Sequence, residues 1–174
     1  MTPRRNMPKL CRSLMFPVKL HTMPVTHGLA HEQDALAEFH KVTGLKVEKC
    51  GLFISQDHPF LAATPDGLVG EEYIVEVKCP YKGRFSSIEP GEFFPFLVYV
   101  EGNVTLKKNH KYYDQVQCQM GVTKRPKCYF VVYTFCDLKI FEIMFDSEFY
   151  SLSLVPKVTS FFDQYYRQYI AEHI

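Results

Sequence analysis

Long apolar runs are missing from this 174-residue chain: none approaches the roughly 20 residues that a membrane-spanning helix needs, and the first residues lack the apolar core of a signal peptide. The six cysteines occur singly, without any Cys-x-x-Cys pair, which argues against a thiolate zinc or iron–sulfur site and against a disulfide framework. An excess of charge is missing too, because 20 basic residues face 19 acidic ones. We therefore expect a soluble protein of a reducing intracellular compartment, the cytoplasm or nucleus, in which local patches and bound cations hold any anionic partner.

The length is that of one domain, and a chain of this size typically buries about 70% of the surface that it exposes when unfolded. We expect a single domain with three parts along the chain. Residues 1–25 hold four of the eleven prolines and form an irregular arm, in which residues 7–15 can make a short helix. The core follows over residues 26–145, and residues 146–174 form a closing helix with aromatic side chains available for packing.

The first helix of the core carries a carboxylate in an unusual place. The sequence predicts this helix from Thr26, as its N-cap, to Thr43, with Gly44 ending it. At about 100° per residue, Glu32 lies in the middle of the apolar stripe rather than on the solvated face. Two explanations stay open, because a buried charge needs a partner: Glu32 contributes to a cation site, or it pairs with a neighbouring basic group.

Three further charged residues converge in a hairpin-like stretch. Asp66 lies in a Pro-Asp-Gly turn, and the alternation over residues 73–78 predicts a strand with Glu76 and Lys78 on one face. These groups are expected to meet at one end of a small sheet. The alternative is structural: Asp66 is a turn residue, and the Glu76 and Lys78 pair covers the outer face of an edge strand.

Strands and helices alternate along the rest of the chain. A second core helix is predicted over residues 109–122, with Gln115 and Gln119 along one edge of its apolar stripe. The strands indicated by period-two patterning and turn residues are 47–54, 60–63, 73–78, 96–99, 104–107, 129–135 and 138–145. This order predicts an α/β fold, a central mixed β-sheet flanked by helices.

The charged residues are those that phosphodiester hydrolysis needs. One or two divalent cations can screen the phosphate, activate water and stabilise the leaving oxygen, and Mg²⁺ suits hard oxygen ligands because it keeps several waters. Asp66, Glu76 and the backbone carbonyl of Val77 can provide such oxygens, and Glu32 can complete the set from the helix. Lys78 beside the cation can orient the attacking water or stabilise the developing charge.

Four motifs follow one another along roughly residues 28–145: Gly28-x-x-x-Glu32 with a Thr-Gly helix end, Thr64-Pro65-Asp66-Gly67, Glu76-Val77-Lys78-Cys79-Pro80, and a Tyr-x-x-Gln-Val-Gln helix from Tyr112. In this order they resemble the PD-(D/E)xK nuclease superfamily. Within it, the Glu-x-Lys-Cys-Pro and Tyr-x-x-Gln-Val-Gln pieces are similar to the YqaJ-like viral recombinase, or phage lambda exonuclease, family. The resemblance implies a restriction-endonuclease-like core.

By position, the resemblance implies Asp66 and Glu76 as metal-binding acids, Lys78 as the catalytic lysine, Glu32 as the helix carboxylate near the metal, and Gln115 as a glutamine that faces the site. It implies a Mg²⁺-dependent exonuclease, with Mn²⁺ able to substitute, that digests one strand of linear duplex DNA from the 5′ end and produces single strands for recombination. The implied partners are double-stranded DNA ends, a single-strand annealing protein and further copies of the chain in a ring-shaped trimer.

The segment before Gly28 departs from the family. Relatives have a longer segment there, with an arginine that contacts the terminal phosphate, and the sequence does not match Arg4, Arg5 or Arg12 to it. A piece of a longer protein is therefore one expectation. Besides the exonuclease, two functions stay open: a DNA-binding or assembly module of the same fold with weak or no nuclease activity, and an α/β domain whose charged residues are merely solvated.

Basic residues bracket the glutamine-bearing helix, with Lys107, Lys108 and Lys111 at its start and Lys124 and Arg125 at its end. One hypothesis is that they bind DNA phosphates beside the cleft. The other is that they are the solvated ends of a helix.

Overall fold

The computed structural model describes residues 6–174, and these form two compact units. One unit is Thr22–Ser147, and the other combines residues 6–21 with Glu148–Ile174. Arg4 and Arg5 lie outside the described residues. Within residues 6–174, none of the helices combines the length and the apolar character that a membrane crossing requires.

The smaller unit is helical. Helix α1 (Met7–Met15) confirms the short helix predicted in the proline-rich arm, and the side-chain oxygen of Asn6 caps it by accepting a hydrogen bond from the Lys9 N–H at 3.0 Å. The predicted closing helix is also present, although wider turns interrupt it. Its α-helical parts are Ser147–Phe149, Val155–Phe161 and Arg167–His173, and its π-helical parts are Tyr150–Leu154 and Phe162–Tyr166.

The larger unit is an α/β sandwich. Its elements are α2 (Met23–Thr43), β1 (Phe53–Ile54), β2 (Ala62–Ala63), β3 (Gly67–Val69), β4 (Tyr73–Lys78), β5 (Leu97–Val100), β6 (Asn103–Leu106), α3 (Lys111–Thr123), β7 (Lys127–Tyr133) and β8 (Leu138–Met144). A four-stranded sheet has the order β3-β4-β7-β8, in which β4 pairs antiparallel with β3 and parallel with β7, and β7 pairs antiparallel with β8. The predicted mixed sheet flanked by helices is confirmed.

The alternation of side chains along β4 assigns its two faces to two helices. Val75 and Val77 are buried in a core cluster with Ala35 and Phe39 of α2. Glu76 points to the opposite face, where side chains of α3 bind it. The two helices therefore cover opposite faces of β4, and residues near its carboxyl end lie within reach of both.

Two predicted boundaries were wrong. Helix α2 begins at Met23 rather than after Thr26, because Pro24 fits its first turn and the Thr26 N–H already donates to the Thr22 carbonyl at 2.9 Å. Its end at Gly44, with φ of 72°, is as predicted. The strand predicted over residues 47–54 is reduced to Phe53–Ile54 and a single bridge from Glu48 to Leu68, since β2 offers only two residues for pairing.

Candidate active site

A cleft of about 410 Å³ opens at the carboxyl end of β4. Strand β4 and the residue before β3 contribute acids, α2 contributes a third, and the first turn of α3 contributes an aromatic ring. Its lining includes Glu32, Asp66, Glu76, Val77, Lys78 and Tyr112. The structure therefore brings together the charged residues singled out from the sequence, and the reading of them as separately solvated charges is not supported.

Glu76 is the most constrained member of the cleft. It is 3% exposed and lies on an interior strand, so the alternative of an edge-strand outer face is wrong. Gln115 Nε2 donates to Glu76 Oε1 at 2.6 Å, and Gln119 Nε2 donates to Oε2 at 2.7 Å. Lys78 Nζ also donates to Oε1. Both carboxylate oxygens are thus held by named donors, which fixes the direction of the side chain.

Gln119 is a site residue that the sequence analysis missed. It lies one helical turn after Gln115, so both amides point to the same side of α3, and this i, i+4 spacing was the available signal. Gln119 is 4% exposed, and among residues 6–174 its Oε1 finds no hydrogen-bond partner. Because a carboxylate only accepts hydrogen bonds, the Nε2 atom must be the one that faces Glu76.

Asp66 is placed by the backbone of the adjacent strand. Its N–H donates to the Val75 carbonyl at 3.0 Å, and its Oδ2 accepts a hydrogen bond from the Val77 N–H at 2.6 Å. Burial, together with the negative charges of Glu76 and Glu32, raises the pKa of Asp66 to about 7, against the opposing effects of the Val77 N–H and Lys78. The carboxylates of the cleft therefore repel one another in the absence of a bound cation.

Lys78 provides the cationic group of the cleft. Its side chain is 16% exposed, forms an ion pair with Glu76, and places Nζ 4.8 Å from the centroid of the Tyr112 ring. A desolvated ammonium over an aromatic face gains a cation–π attraction in addition to its ion pair. Lys78 is consequently held at the wall of the cleft rather than extended into solvent.

Glu32 lies at the edge of the cleft, half-buried, and not in the middle of an apolar stripe as predicted. The stripe is narrower than expected, because Leu29 is 71% exposed while Ala35 and Phe39 are fully buried. Within the described part of the chain, the Glu32 carboxylate makes no hydrogen bond or ion pair, so the alternative of pairing with a neighbouring basic group is not observed. Its charge instead acts on Asp66.

The oxygen donors fit a divalent cation. No three His, Cys, Asp or Glu side chains of residues 6–174 form a ready-made ligand cluster. Mg²⁺ does not need one, because it is usually bound through one or two carboxylates and retains waters. Asp66 and Glu76 are hard oxygen ligands, and Glu32 has no hydrogen-bond or ion-pair partner among residues 6–174. Burial, followed by the charge of Glu76, raises the pKa of Asp66, and a cation beside these carboxylates would offset the electrostatic part of that shift.

A comparison of sequences assigns the family. The profile of the YqaJ-like viral recombinase domain matches residues 7–126, which include Glu32, Asp66, Glu76, Lys78 and Gln115. The chain belongs to this family. An uncharacterized protein (R354) of Acanthamoeba polyphaga mimivirus is 29% identical to the YqaJ-like chain over 110 residues, and the match covers 62% of the chain and 19% of that protein. The chain thus spans about a fifth of this viral relative.

Solved structures share the fold. An alkaline exonuclease (LHK-Exo) from Laribacter hongkongensis has a TM-score of 0.71 at 22% identity, over 96% of the YqaJ-like chain and 82% of the other. The same enzyme in complex with dAMP has a TM-score of 0.65 at 23% identity, over 95% and 78% of the two chains. A phage-related exonuclease from Haemophilus somnus 129PT has a TM-score of 0.61 at 16% identity, over 97% and 82%.

Cys79 lines the cleft of the YqaJ-like chain but does not have the properties of a nucleophile. Burial, followed by the charge of Glu32, raises the pKa of the Cys79 thiol to about 12. The thiol therefore stays protonated at neutral pH, and its Sγ donates to the His31 carbonyl at 3.5 Å. Covalent catalysis by this cysteine is not supported.

The predicted DNA-binding residues differ in their surroundings. Lys111 lies beside a residue that lines the cleft, with Nζ 5.6 Å from the Tyr112 ring centroid, and the exposed Lys108 forms an ion pair with Asp146 at 3.7 Å. The remaining residues are engaged by protein groups: Lys107 donates to the Pro95 carbonyl, Lys124 pairs with Asp57, and Arg125 donates to the Gly70 and Tyr73 carbonyls. A role in DNA binding stays a prediction for all five, and the geometry favours Lys111.

Proposed function

We propose that this YqaJ-like chain is a metal-dependent deoxyribonuclease, an exonuclease that hydrolyses phosphodiester bonds of linear duplex DNA. The observation that carries the proposal is the cleft in which Glu32, Asp66, Glu76 and Lys78 meet, in a chain of this family. Two solved proteins of similar fold are exonucleases by name, and one of them has been crystallised with dAMP. Their names support the same class of substrate for this cleft.

Asp66, Glu76 and Glu32 would hold the cation, and the Val77 carbonyl is a further candidate ligand. We expect Mg²⁺, with Mn²⁺ as a substitute, because the donors are hard oxygens. When bound, the cation supplies screening of the phosphate charge and activation of water. The protein contributes preorganisation: the Val77 N–H holds Asp66, and two glutamine amides hold Glu76, so these acids need little reorganisation during the reaction.

Lys78 is the residue placed to act on the reacting phosphate. Glu76 Oε1 accepts a hydrogen bond from its ammonium, and the Tyr112 ring lies beneath it, so the direction of Nζ is restricted. The two remaining N–H groups can orient the attacking water or donate to the phosphate oxygen on which negative charge grows. Gln115 shares Oε1 with Lys78 and thereby supports the same arrangement.

The proposal extends to direction and partners. Digestion runs from the 5′ end of double-stranded DNA, and the single strands that it leaves are substrates for a single-strand annealing protein. The active assembly is a ring-shaped homotrimer around DNA. These points are supported by the resemblance of the motifs to the family.

Linear duplex DNA labelled at the 5′ or the 3′ end tests the proposal. We expect mononucleotide release in Mg²⁺ and none in EDTA, with the 5′ label lost first. Lys78→Ala and Asp66→Asn should each abolish digestion while the circular dichroism spectrum stays unchanged. Lys41→Ala, at an exposed lysine paired with Glu38, is the matched control and should digest normally. Full activity in either cleft variant would refute the assignment of the site.

The second candidate is a DNA-binding or assembly module of the same fold with weak or no nuclease activity. The engagement of both Glu76 oxygens by protein donors is the observation that favours it. It predicts binding of duplex ends with no release of label in Mg²⁺ or Mn²⁺. The complete set of acids and the lysine favours the exonuclease.

A further inference from the structure

A continuous row of rings leads from the cleft to the surface of the larger unit. Tyr81 lines the cleft, and its ring centroid is 5.6 Å from that of His27. His27 is 4.5 Å from His31, His31 is 4.8 Å from Phe135, and Phe135 is 5.3 Å from Phe85. With Arg84, these residues form what we call the ring cluster. Three separate parts of the chain contribute to it: α2, the segment after β4, and the turn between β7 and β8.

The outer end of the ring cluster is open to solvent. Phe85 is 68% exposed and Phe135 is 44% exposed. Single exposed apolar residues are common on protein surfaces, whereas adjoining exposed rings indicate a binding surface. Phe85 and Phe135 are therefore candidates for contact with a ligand that presents flat apolar faces.

The ring cluster also carries positive charge. The Arg84 guanidinium lies 4.1 Å from the Tyr81 ring centroid and 4.8 Å from that of Phe85, and its Nη1 donates to the Tyr81 carbonyl at 2.7 Å. Asp34 faces the cluster as well, but it is paired with His31 at 2.8 Å. Burial, His31 and Arg84 lower the pKa of His27, so this imidazole is uncharged at neutral pH and available for stacking.

Hydrogen bonds fix the position of the outer rings. The Phe135 N–H donates to the Arg84 carbonyl at 2.8 Å, and Thr134 Oγ1 donates to the Ser86 carbonyl at 3.0 Å. The Ile88 N–H donates to Asp137 Oδ2 at 2.8 Å. The segment after β4 and the β7–β8 turn are thus joined, so the backbone that carries Phe85 and Phe135 is already in place when a ligand binds.

We propose that the ring cluster binds unpaired nucleobases of the DNA strand that enters the cleft. Aromatic faces combined with arginine suit single-stranded nucleic acid, because every base offers a π-face and the phosphates are anionic. Bases inside a duplex are already stacked on each other and offer no such face. Tyr81 belongs to both the cleft and the cluster, which makes the two surfaces continuous. The identity of the ligand as DNA rests on the proposed function.

Filter binding in EDTA tests the inference without turnover. The probes are a radiolabelled 12-mer of deoxythymidylate and an abasic 12-mer that has the same phosphates and no bases. We expect the protein to prefer the thymidylate oligomer. Phe85→Ala and Phe135→Ala should each weaken its binding by roughly fivefold to a hundredfold, which is the order expected for one stacked base, and leave abasic binding unchanged. Tyr99→Ala, at a 56% exposed ring outside the cluster, is the matched control and should bind both probes normally.

Three results would overturn the inference. One is equal affinity of the unaltered protein for the two oligomers, and another is equal binding by Phe85→Ala and Tyr99→Ala. The third is a dimer in sedimentation that Phe85→Ala dissociates, because a second copy of the chain would then cover the rings.

Hydrolysis of methyl 4-nitrophenyl phosphate, a diester without nucleobases, separates the inference from the proposed function. If the protein cleaves neither this diester nor DNA but still prefers the thymidylate oligomer, the nuclease proposal fails and the ring cluster stands.

Discussion

Replacing Gln119 by leucine removes one of the donors that hold Glu76 and leaves the rest of the cleft in place. The two side chains are of similar size, so no large cavity results. Gln117→Leu is the matched control, since Gln117 lies two positions away on the same helix, is fully buried and does not contact Glu76. Its amide binds the Met144 carbonyl at 2.9 Å and the Asp146 N–H at 2.8 Å.

Gln119→Leu should change the stability of the protein less than Gln117→Leu does, and should change its activity more. Gln119→Leu loses a hydrogen bond to a charged group, about 1.5–3 kcal/mol, but also removes a buried oxygen without a partner, which offsets about 1–3 kcal/mol. The net change in the free energy of unfolding should stay within about 2 kcal/mol. Gln117→Leu loses two hydrogen bonds to backbone groups, at about 0.5–1.5 kcal/mol each, and should destabilise the protein by about 1–3 kcal/mol.

The nuclease activity should change more in Gln119→Leu than in Gln117→Leu. Glu76 Oε2 loses its fixed partner in Gln119→Leu, and loss of a residue that orients a metal ligand typically costs about 10- to 100-fold in metal affinity or activity. The concentration of Mg²⁺ that gives half the maximal rate of DNA digestion should rise by this factor. In Gln117→Leu it should stay unchanged at temperatures where urea titration shows the protein to be folded.

A role of Gln119 in orienting Glu76 is refuted if Gln119→Leu keeps both its rate and its Mg²⁺ requirement within about twofold of the unaltered protein. It is also refuted if folded Gln117→Leu shows the same increase in Mg²⁺ requirement, because the effect would then arise from α3 as a whole rather than from the contact with Glu76.

Three further predictions follow from the cleft and its surroundings. In EDTA, the urea concentration at the midpoint of unfolding should fall as the pH rises from about 4 to about 7. The raised pKa of Asp66 makes the folded state bind a proton more tightly than the unfolded state does. Asp66→Asn should flatten this pH dependence. Gly67→Ala should lower the melting temperature by an amount equivalent to about 1–3 kcal/mol, because a Cβ there would lie 2.2 Å from Val47 Cγ1. Gly51→Ala is the control and should be neutral, because a Cβ at Gly51 would meet no heavy atom of the described residues within 4 Å. Lys111→Ala should reduce the slope of log affinity against log salt for duplex DNA by about one if this lysine binds a phosphate, and an unchanged slope would exclude that contact.

The sequence predicted the acids of the cleft better than it predicted their surroundings. Alternation along one strand was sufficient to place Glu76 and Lys78 on the same face, because side-chain direction in a strand depends only on local geometry. Only Gln115 was implied by the family resemblance, and the contact of Gln119 with Glu76 was not predicted because a helical wheel does not show which strand the helix covers. Glu32 lines the cleft, but its predicted position in the middle of an apolar stripe was wrong, since Leu29 on one side of that stripe is exposed.

Features that depend on pairing between distant segments could not be predicted. The strand over residues 47–54 has suitable residues, but strand length is limited by the partner, and β2 provides only Ala62–Ala63. The ring cluster has no sequence signature, because three separate parts of the chain supply its rings. The order of strands in the sheet was likewise not specified by local patterns.

The hydrogen bond from the Val77 N–H to Asp66 gives the cleft a spectroscopic reporter. A backbone amide that donates to a carboxylate at 2.6 Å has its proton resonance displaced downfield, and the displacement follows the charge on the accepting oxygen. Protonation of Asp66 and capture of a cation by the same carboxylate each withdraw that charge. At constant pH, the Val77 amide resonance of isotope-labelled protein therefore follows binding of a cation in the cleft, one residue from the lysine proposed to assist cleavage, with no DNA present and no turnover required.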